Sequence, residues 1–388
     1  MKKSTITSLL ILVIISSVAT PMQFEKEQNS TKTIQVEINK NVEFLGLLNF
    51  LGYKGKRMES ENGSFTRDGK QIKWRDWNAY GWYLYKKYKP FYESTHLSQA
   101  MELVGNIEYG YFIRLVLQLE NFPQAKITNN LPKGSYIQFS DKRDQKEAWK
   151  NAAKFLDALN RFYKEINFDE YWETHKAIYQ NTVEQVRKVL PSENFIKEME
   201  KFYQGKFDSY ILIPSPSTST SSGFGLKLTD GEKTDIYNVF GPLWFQKFKN
   251  SSDLDMGFGN KDKVREKSTH EFGHSFVDLA MNKIPRNSIK ATEKLFHPIQ
   301  EAMADQSYLD WETCLDEHFT RAGEIIIAEN MENWKSAGFL RHEYIENRKF
   351  IYLPIILEEL QKYNRKKEIS YQQAVNNAME KLIELAKS

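Results

Sequence analysis

Cysteine is almost missing from this chain: Cys314 is the only one in 388 residues. A single thiol excludes an internal disulfide, and with no cysteine near the N-terminus a lipid-anchored precursor is excluded too. Cys314 reads as a small buried apolar residue. An excess of either charge is also missing. The formal balance is +3, which gives no electrostatic footing for nucleic acid or an anionic membrane as partner. There is no internal repeat and no coiled-coil heptad. Long apolar runs are lacking as well. Ile6 to Ile15 is mostly apolar but too short to span a bilayer comfortably. With Lys2 and Lys3 before it and Ser17-Val18-Ala19 after it, this stretch reads as a secretory signal over 1–19. Its removal takes away two lysines and no acid, leaving +1. The expectation is an exported protein, periplasmic or secreted, with no stable membrane insertion.

Residues 20–32 are polar and aperiodic, as in a linker. Ile34, Val36 and Ile38 alternate with polar residues and predict a strand. Val42, Phe44, Leu45, Leu47, Leu48 and Leu51 predict a short buried helix. The stretch 54–73, with Asn62-Gly63 and Asp68-Gly69, reads as loop. Trp74, Trp77, Tyr80, Trp82, Tyr83, Tyr85 and Tyr88 follow helical spacing and read as core packing before they read as a sugar platform. Helices are expected around 94–120, 143–165, 168–189 and 192–204. Tyr210 to Ile213 predicts a strand, and Pro214 to Gly223, rich in Ser, Thr and Pro, a low-complexity mobile loop. Asp230-Gly231 between two strand-like runs predicts a hairpin. Past Pro285, helices are expected over 292–309, 311–330, 338–362 with an interruption at Pro354, and 370–387. The fold class is α+β, predominantly helical with a small antiparallel sheet, divided into a helical region over 33–205 and a second region over 206–388.

Histidine is scarce too, with seven in the chain. Two of them stand four apart in Ser268-Thr269-His270-Glu271-Phe272-Gly273-His274. At that density His-Glu-x-x-His arises by chance in roughly one such chain in a hundred, so the match carries weight. On a helix, positions i and i+4 lie one turn apart on the same face. Both rings can therefore aim a nitrogen at one ion at the ~2.0–2.1 Å that zinc requires. Glu271 lies about 100° round the helix. It is placed to act as a base toward solvent at such a centre. Val264, Phe272, Phe276 and Val277 give this helix an apolar stripe. Gly273 costs about 1 kcal/mol in a helix interior, which makes sense if another backbone, or a substrate, must come close there.

A catalytic zinc usually takes a third protein ligand. A histidine six residues after the motif would need Gly at 277 and His at 280; Val277 and Ala280 stand there. The remaining choice is a downstream acid: Glu301, Asp305, Glu312, Glu317 or Glu324. Glu317 is preferred, on an apolar helix 43 residues past His274. The competing role for Glu317 is an i,i+4 ion pair with Arg321 on a solvated face. His318 is adjacent and projects elsewhere.

His-Glu-Phe-Gly-His with a remote glutamate resembles the gluzincin type of zinc metallopeptidase. Glu317-His318-Phe319-Thr320-Arg321-Ala322 is similar to the Glu-x-Phe-x-x-Ala helix of anthrax lethal factor protease, a likeness confined to two helices. Over roughly 33–345, Val42-Glu43-Phe44-Leu45-Gly46, His270 to Val277 and Glu317 to Ala322 resemble an uncharacterised exported family common in Bacteroidetes, a domain of unknown function. The gluzincin resemblance implies a zincin-like catalytic core over 206–388, Zn2+ as cofactor, and a peptide or protein as substrate. Such enzymes often carry an acid four residues after the glutamate ligand, orienting a ligating histidine. Position 321 is Arg, so Asp278 or Glu324 would hold the ring, or the surroundings of the ligands are built differently. The resemblance also implies an oxyanion donor downstream, for which Tyr308, His342 and Tyr344 are candidates.

The expected function is an exported zinc-dependent metallopeptidase with Glu271 as general base and His270, His274 and Glu317 as ligands. A zinc-bearing binding protein without turnover is the alternative, and a carbohydrate-binding protein built on the 74–88 aromatics is a third. Glu271 argues against the second, because a purely structural site has no use for that carboxylate.

Overall fold

The computed structural model describes residues 32–388, apart from 62 and 68. The expected signal over 1–19, and the expected linker except Lys32, lie outside the described residues. Among the described residues there are six strands: β1 (Ile34–Val36), β2 (Ser64–Arg67), β3 (Lys70–Lys73), β4 (Ser209–Pro214), β5 (Gly223–Asp230) and β6 (Lys233–Phe240). Helix dominates the rest, so the fold is α+β and mainly helical. The sheet beside the motif helix is mixed, in the order β1-β4-β6-β5. β5 and β6 form the expected antiparallel hairpin, while β1, β4 and β6 run parallel. Between β1 and β4 a helical crossover brings the chain back in the same direction, which a tight turn cannot do. β6 runs parallel to β4 for another reason: the 215–222 connection leads into antiparallel β5, and the hairpin then reverses the chain. β4 is apolar without alternation because neighbours cover both its faces, and Tyr210 to Ile213 are all buried.

The motif helix runs Lys261–Met281, and its first turn is capped by Asn260, whose side chain accepts from Lys263 N. Phe272 and Phe276 bury against the sheet side, with Tyr210 edge-on to Phe272 at 5.6 Å. A second long helix, Trp311–Asn330, starts at Asp310, whose side chain caps Thr313 N. Tyr203, from the Asn194–Tyr203 helix, stacks on Phe276 at 4.8 Å. Its hydroxyl stands 3.3 Å from where a Cβ at Gly273 would sit, and a Cβ at Gly323 would collide with it. What comes close at Gly273 is thus a side chain, neither the backbone nor the substrate expected: Tyr203 lies between the two long helices. Residues 32–388 pack as one unit, to which the 33–205 region lends β1 and Tyr203. Trp77, Tyr80, Tyr85 and Tyr88 are buried, so the aromatic run is chiefly core, with Trp82 and Tyr83 half-buried beside it.

Several expectations are corrected. The 54–73 stretch is not loop: it holds a helix, Gly55–Glu61, and the β2–β3 hairpin. These strands are four residues each and polar, too short to show a period, and the turn glycine Gly69 has φ +71°. The Pro214–Gly223 stretch is not mobile. Ser215 to Thr220 are buried, and their hydroxyls stand in for the missing ladder bonds. Thr220 Oγ1 donates to Trp77 O at 2.6 Å, Thr220 N donates to Asn78 Oδ1 at 2.9 Å, and Ser217 Oγ donates to Glu43 O at 3.0 Å. Low complexity here is a set of small hydroxyl side chains that a buried crossover requires. Among the longer expected helices, 94–120 breaks into Thr95–Glu102 and Tyr109–Val116 around Gly105 at φ +50°. The 292–309 region is a 3-10 stretch, Glu293–Ile299, containing Pro298, followed by Gln300–Ala304.

Glu43 is sealed in this core at 2 % exposure, and neither carboxyl oxygen has a hydrogen-bond partner among the described residues. Burial pushes its pKa from 4.5 up to about 7, with the nearby Ser215 and Ser217 hydroxyls opposing the rise. The fold holds this proton more tightly than the unfolded chain does. The resulting stability is fully present below pH 4.5 and is lost as the pH rises through about 7. Glu43→Gln, neutral at every pH, is expected to gain about 3 kcal/mol relative to the wild type on going from acid to mildly alkaline pH. Denaturant titrations of both proteins at about pH 5 and about pH 8 check this; an unchanged difference between them would rule out a buried neutral carboxyl.

Candidate metal centre

The i,i+4 spacing puts the two rings together as expected: His270 Nε2 and His274 Nε2 are 3.3 Å apart. Glu317 reaches them from the Trp311–Asn330 helix, with Oε1 at 3.3 Å from His274 Nε2 and 3.9 Å from His270 Nε2. Two ligands held ~2.0–2.1 Å from a tetrahedral ion stand roughly 3.3 Å apart. The three atoms therefore have nearly the separations of three corners of a zinc shell. Glu271 is beside them, and His270, Glu271 and His274 offer ligand atoms within 4.8 Å of one another.

The far side of each ring decides what the near side presents. His270 Nδ1 meets Glu324 Oε1 at 2.6 Å, and His274 Nδ1 meets Asp316 Oδ1 at 2.8 Å. A carboxylate only accepts, so each Nδ1 carries the proton and each Nε2 turns a lone pair inward. Two nitrogen lone pairs and a carboxylate oxygen thus converge with no donor between them. Such a group of acceptors fits a divalent cation held by nitrogen and oxygen. A proton on His274 could also answer them in part. Burial opposes that proton, but Glu317 and Asp316 outweigh burial and hold the His274 pKa well above its ordinary value. His270 is pushed down by burial, with Arg321 adding to the effect. Burial likewise opposes charge on Glu317, yet Arg321 and the two imidazoles keep it well below the usual carboxylate range.

Arg321 belongs to this arrangement. The expected i,i+4 pair with Glu317 forms at 3.1 Å, but both partners are buried. The same guanidinium pairs with Glu324 at 3.2 Å and donates to Tyr308 and Tyr344 hydroxyls at 3.3 and 3.2 Å. Tyr344 in turn donates to Glu324 Oε2. Ion-pairing and ligation are therefore not alternatives for Glu317: Oε2 faces the arginine while Oε1 faces the rings.

The remaining candidates separate cleanly. Glu301, Asp305 and Glu312 are exposed, and Glu312 pairs with Arg286. His318 is fully buried on the opposite side, where Nδ1 bonds Cys314 O at 2.8 Å and the ring lies among Trp311, Phe350 and Tyr352. Burial lowers its pKa to about 4. Of the two acids proposed to orient a histidine, Glu324 does so and Asp278 does not; Asp316 takes the second ring. Asp316 was missed because it neighbours Glu317, and adjacent helix positions diverge by about 100°. Its contact depends on His274 turning toward it. Tyr308 and Tyr344 line the centre's cleft, whereas His342 is exposed and does not.

The cleft measures about 710 Å³ and is walled by the motif helix, the Trp311–Asn330 helix, the start of β5, and residues 306–308 and 344–348. β5 comes unusually near. A Cβ at Gly223 would collide with the Glu271 carboxylate, and one at Gly225 with the Glu271 carbonyl oxygen. The two glycines let the edge strand lie directly over the candidate base. Lys267 Nζ stands 3.6 Å from Glu271 Oε1, one turn earlier on the same helix. Asp316→Asn and Glu324→Gln are each expected to weaken binding of added zinc about 10–100-fold while the fold persists, because the amide carries no negative charge behind the ring and can present its NH2 and so favour the wrong tautomer. Competition with a chromophoric chelator measures this, and unchanged affinity in both variants would remove the acids from the site.

Among the described residues no helix is long and apolar enough to cross a membrane. Comparison with curated proteins and with solved structures finds no match to this chain. The model of one family, described as a domain of unknown function (DUF4932), matches residues 34–377 and takes in β1, the motif helix and all the ligand candidates; the chain belongs to the DUF4932 family.

Proposed function

We propose that this protein is an exported zinc-dependent peptidase of gluzincin type. The observation that carries the reading is the convergence of His270 Nε2, His274 Nε2 and Glu317 Oε1 at near-tetrahedral separations, with a carboxylate behind each ring. His270, His274 and Glu317 would hold the ion. Zinc, when bound, supplies Lewis-acid polarisation and lowers the pKa of water toward ~7.

The chain's own groups do the rest. Glu271 takes a proton from the attacking water on its carboxylate and returns it to the leaving amine. Tyr308 is the better oxyanion donor of the two tyrosines in the cleft. Tyr344 already gives its proton to Glu324 and serves to position that acid. Tyr308 oxygen instead accepts from Arg321 at 3.3 Å and Arg348 at 3.4 Å, so its own proton is available to a substrate carbonyl oxygen. β5 is an edge strand whose Gly223 and Phe224 border the cleft, and an extended peptide can add to such an edge through main-chain bonds.

Glu271→Gln is expected to keep one zinc per chain by elemental analysis and to lose cleavage by at least about 10²-fold, the scale of a general base. Cleavage profiling against a peptide library, wild type beside variant, provides the reading. Full turnover by the variant would dismiss Glu271 as base. Zinc retained with no cleavage by the wild type would favour a binding protein without turnover.

A further inference from the structure

We infer that Arg348 recognises a carboxylate on the substrate, an inference that rests on the peptidase reading for the site but not for the chemistry of the arginine. Most of the other charges around the centre have partners, and Lys263, which lines the same cleft, lies over the Trp244 ring at 5.9 Å. Glu317 and Glu324 share Arg321. Glu271 has Lys267, and Glu266 accepts from Ser336 at 3.0 Å beside Arg265 at 3.8 Å. Of the four carboxylates nearest the rings, Glu271, Asp316, Glu317 and Glu324, two charges are answered by Lys267 and Arg321, and a divalent ion would answer the other two. Arg348 remains as a surplus positive charge.

Arg348 lines the same cleft and makes no ion pair with a carboxylate among the described residues. It is nevertheless held in place. Nε donates to Gln306 Oε1 at 2.6 Å, Nη2 donates to the Tyr308 hydroxyl at 3.4 Å, and Gln306 Nε2 donates back to Arg348 O at 2.9 Å. The guanidinium also lies over the rings of Tyr344 at 5.8 Å and Phe350 at 5.5 Å. A guanidinium carries five N–H donors in a fixed plane, and three of these five remain uncommitted here. Its ordering cost is met before any ligand arrives. A planar carboxylate matches the remaining fork, whereas a phosphate dianion would suffer more from the acids grouped at the centre. Because Tyr308 is shared with the proposed oxyanion position, the carboxylate would sit near the reacting carbonyl. It is either the α-carboxylate of a C-terminal residue or the side chain of an Asp or Glu next to the bond.

The test uses zinc-loaded, full-length Glu271→Gln, which binds without cleaving, and three fluorescein-labelled peptide pools. One pool has free C-termini and no acidic side chains, one has C-terminal amides and no acidic side chains, and one has C-terminal amides with a single Glu at each position. Fluorescence anisotropy should show one carboxylate-bearing pool binding about 10–100-fold more tightly than the carboxylate-free amides, the scale of a charge-assisted pair. The free-acid pool winning identifies the chain terminus; the Glu pool winning identifies a side chain. Adding Arg348→Gln should bring all pools within about twofold of one another. Arg348→Lys, which keeps stem and charge and guards against a folding defect, should lose at least about threefold of the preference because the fork is gone. The inference falls if no pool binds, if carboxylate gives no advantage, or if the advantage survives Arg348→Gln. Cleavage by the wild type without carboxylate discrimination would overturn the inference and leave the peptidase reading standing. Arg348-dependent carboxylate binding with no cleavage by the wild type would do the reverse.

Discussion

His270 Nε2, His274 Nε2 and Glu317 Oε1 lie within 3.9 Å of one another, three acceptors with no donor among them. Holding such groups together in a buried place is unfavourable unless a positive charge enters, so the surrounding chain has to enforce it. The enforcement is mechanical and electrostatic. Tyr203 sets the spacing of the two long helices by filling the gap over Gly273 and Gly323. Glu324 and Asp316 fix each ring from behind, and Arg321 turns one oxygen of Glu317 away so that the other faces the rings.

The peptidase reading would place an acid at position 321, and the packing gives a physical reason why an arginine stands there instead. Both orienting acids come from elsewhere on the same helix, one residue before the ligand and seven residues after it. With those two carboxylates and Glu317 brought together, a further acid would add repulsion in a medium that screens little. A guanidinium binds two of the three and links them to Tyr308 and Tyr344. Four polar partners meet its two Nη nitrogens, while the buried Nε has no hydrogen-bond partner among the described residues.

The buried segment before β5 ties the core to the cleft. Ser215 to Thr220 answer the backbone of the aromatic helix and of Glu43, and the chain then emerges at Ser221, Ser222 and Gly223 on the cleft wall. Gly46 is needed for this path, since a Cβ there would collide with Ser217. The hydroxyl-rich composition was legible, but its meaning was not. A Ser/Thr run looks the same whether water or the protein interior satisfies it, and only the packed neighbours distinguish the two.

Local spacing determined a good deal without any fold. The four-residue step from His270 to His274 put both rings on one helical face, and Asp230-Gly231 placed the hairpin. Each of these depends on contacts a few residues apart, which the covalent geometry of the chain already restricts. Glu317 was chosen from five acids by its apolar neighbours, a weaker guide, and the structure brings it to the rings. Asp316 on His274, Tyr203 between the glycines, Arg348 held by Gln306, and the exclusion of His342 from the cleft were decided by tertiary packing. They join residues tens to more than a hundred positions apart, and no period or propensity in the chain encodes which distant side chain will arrive.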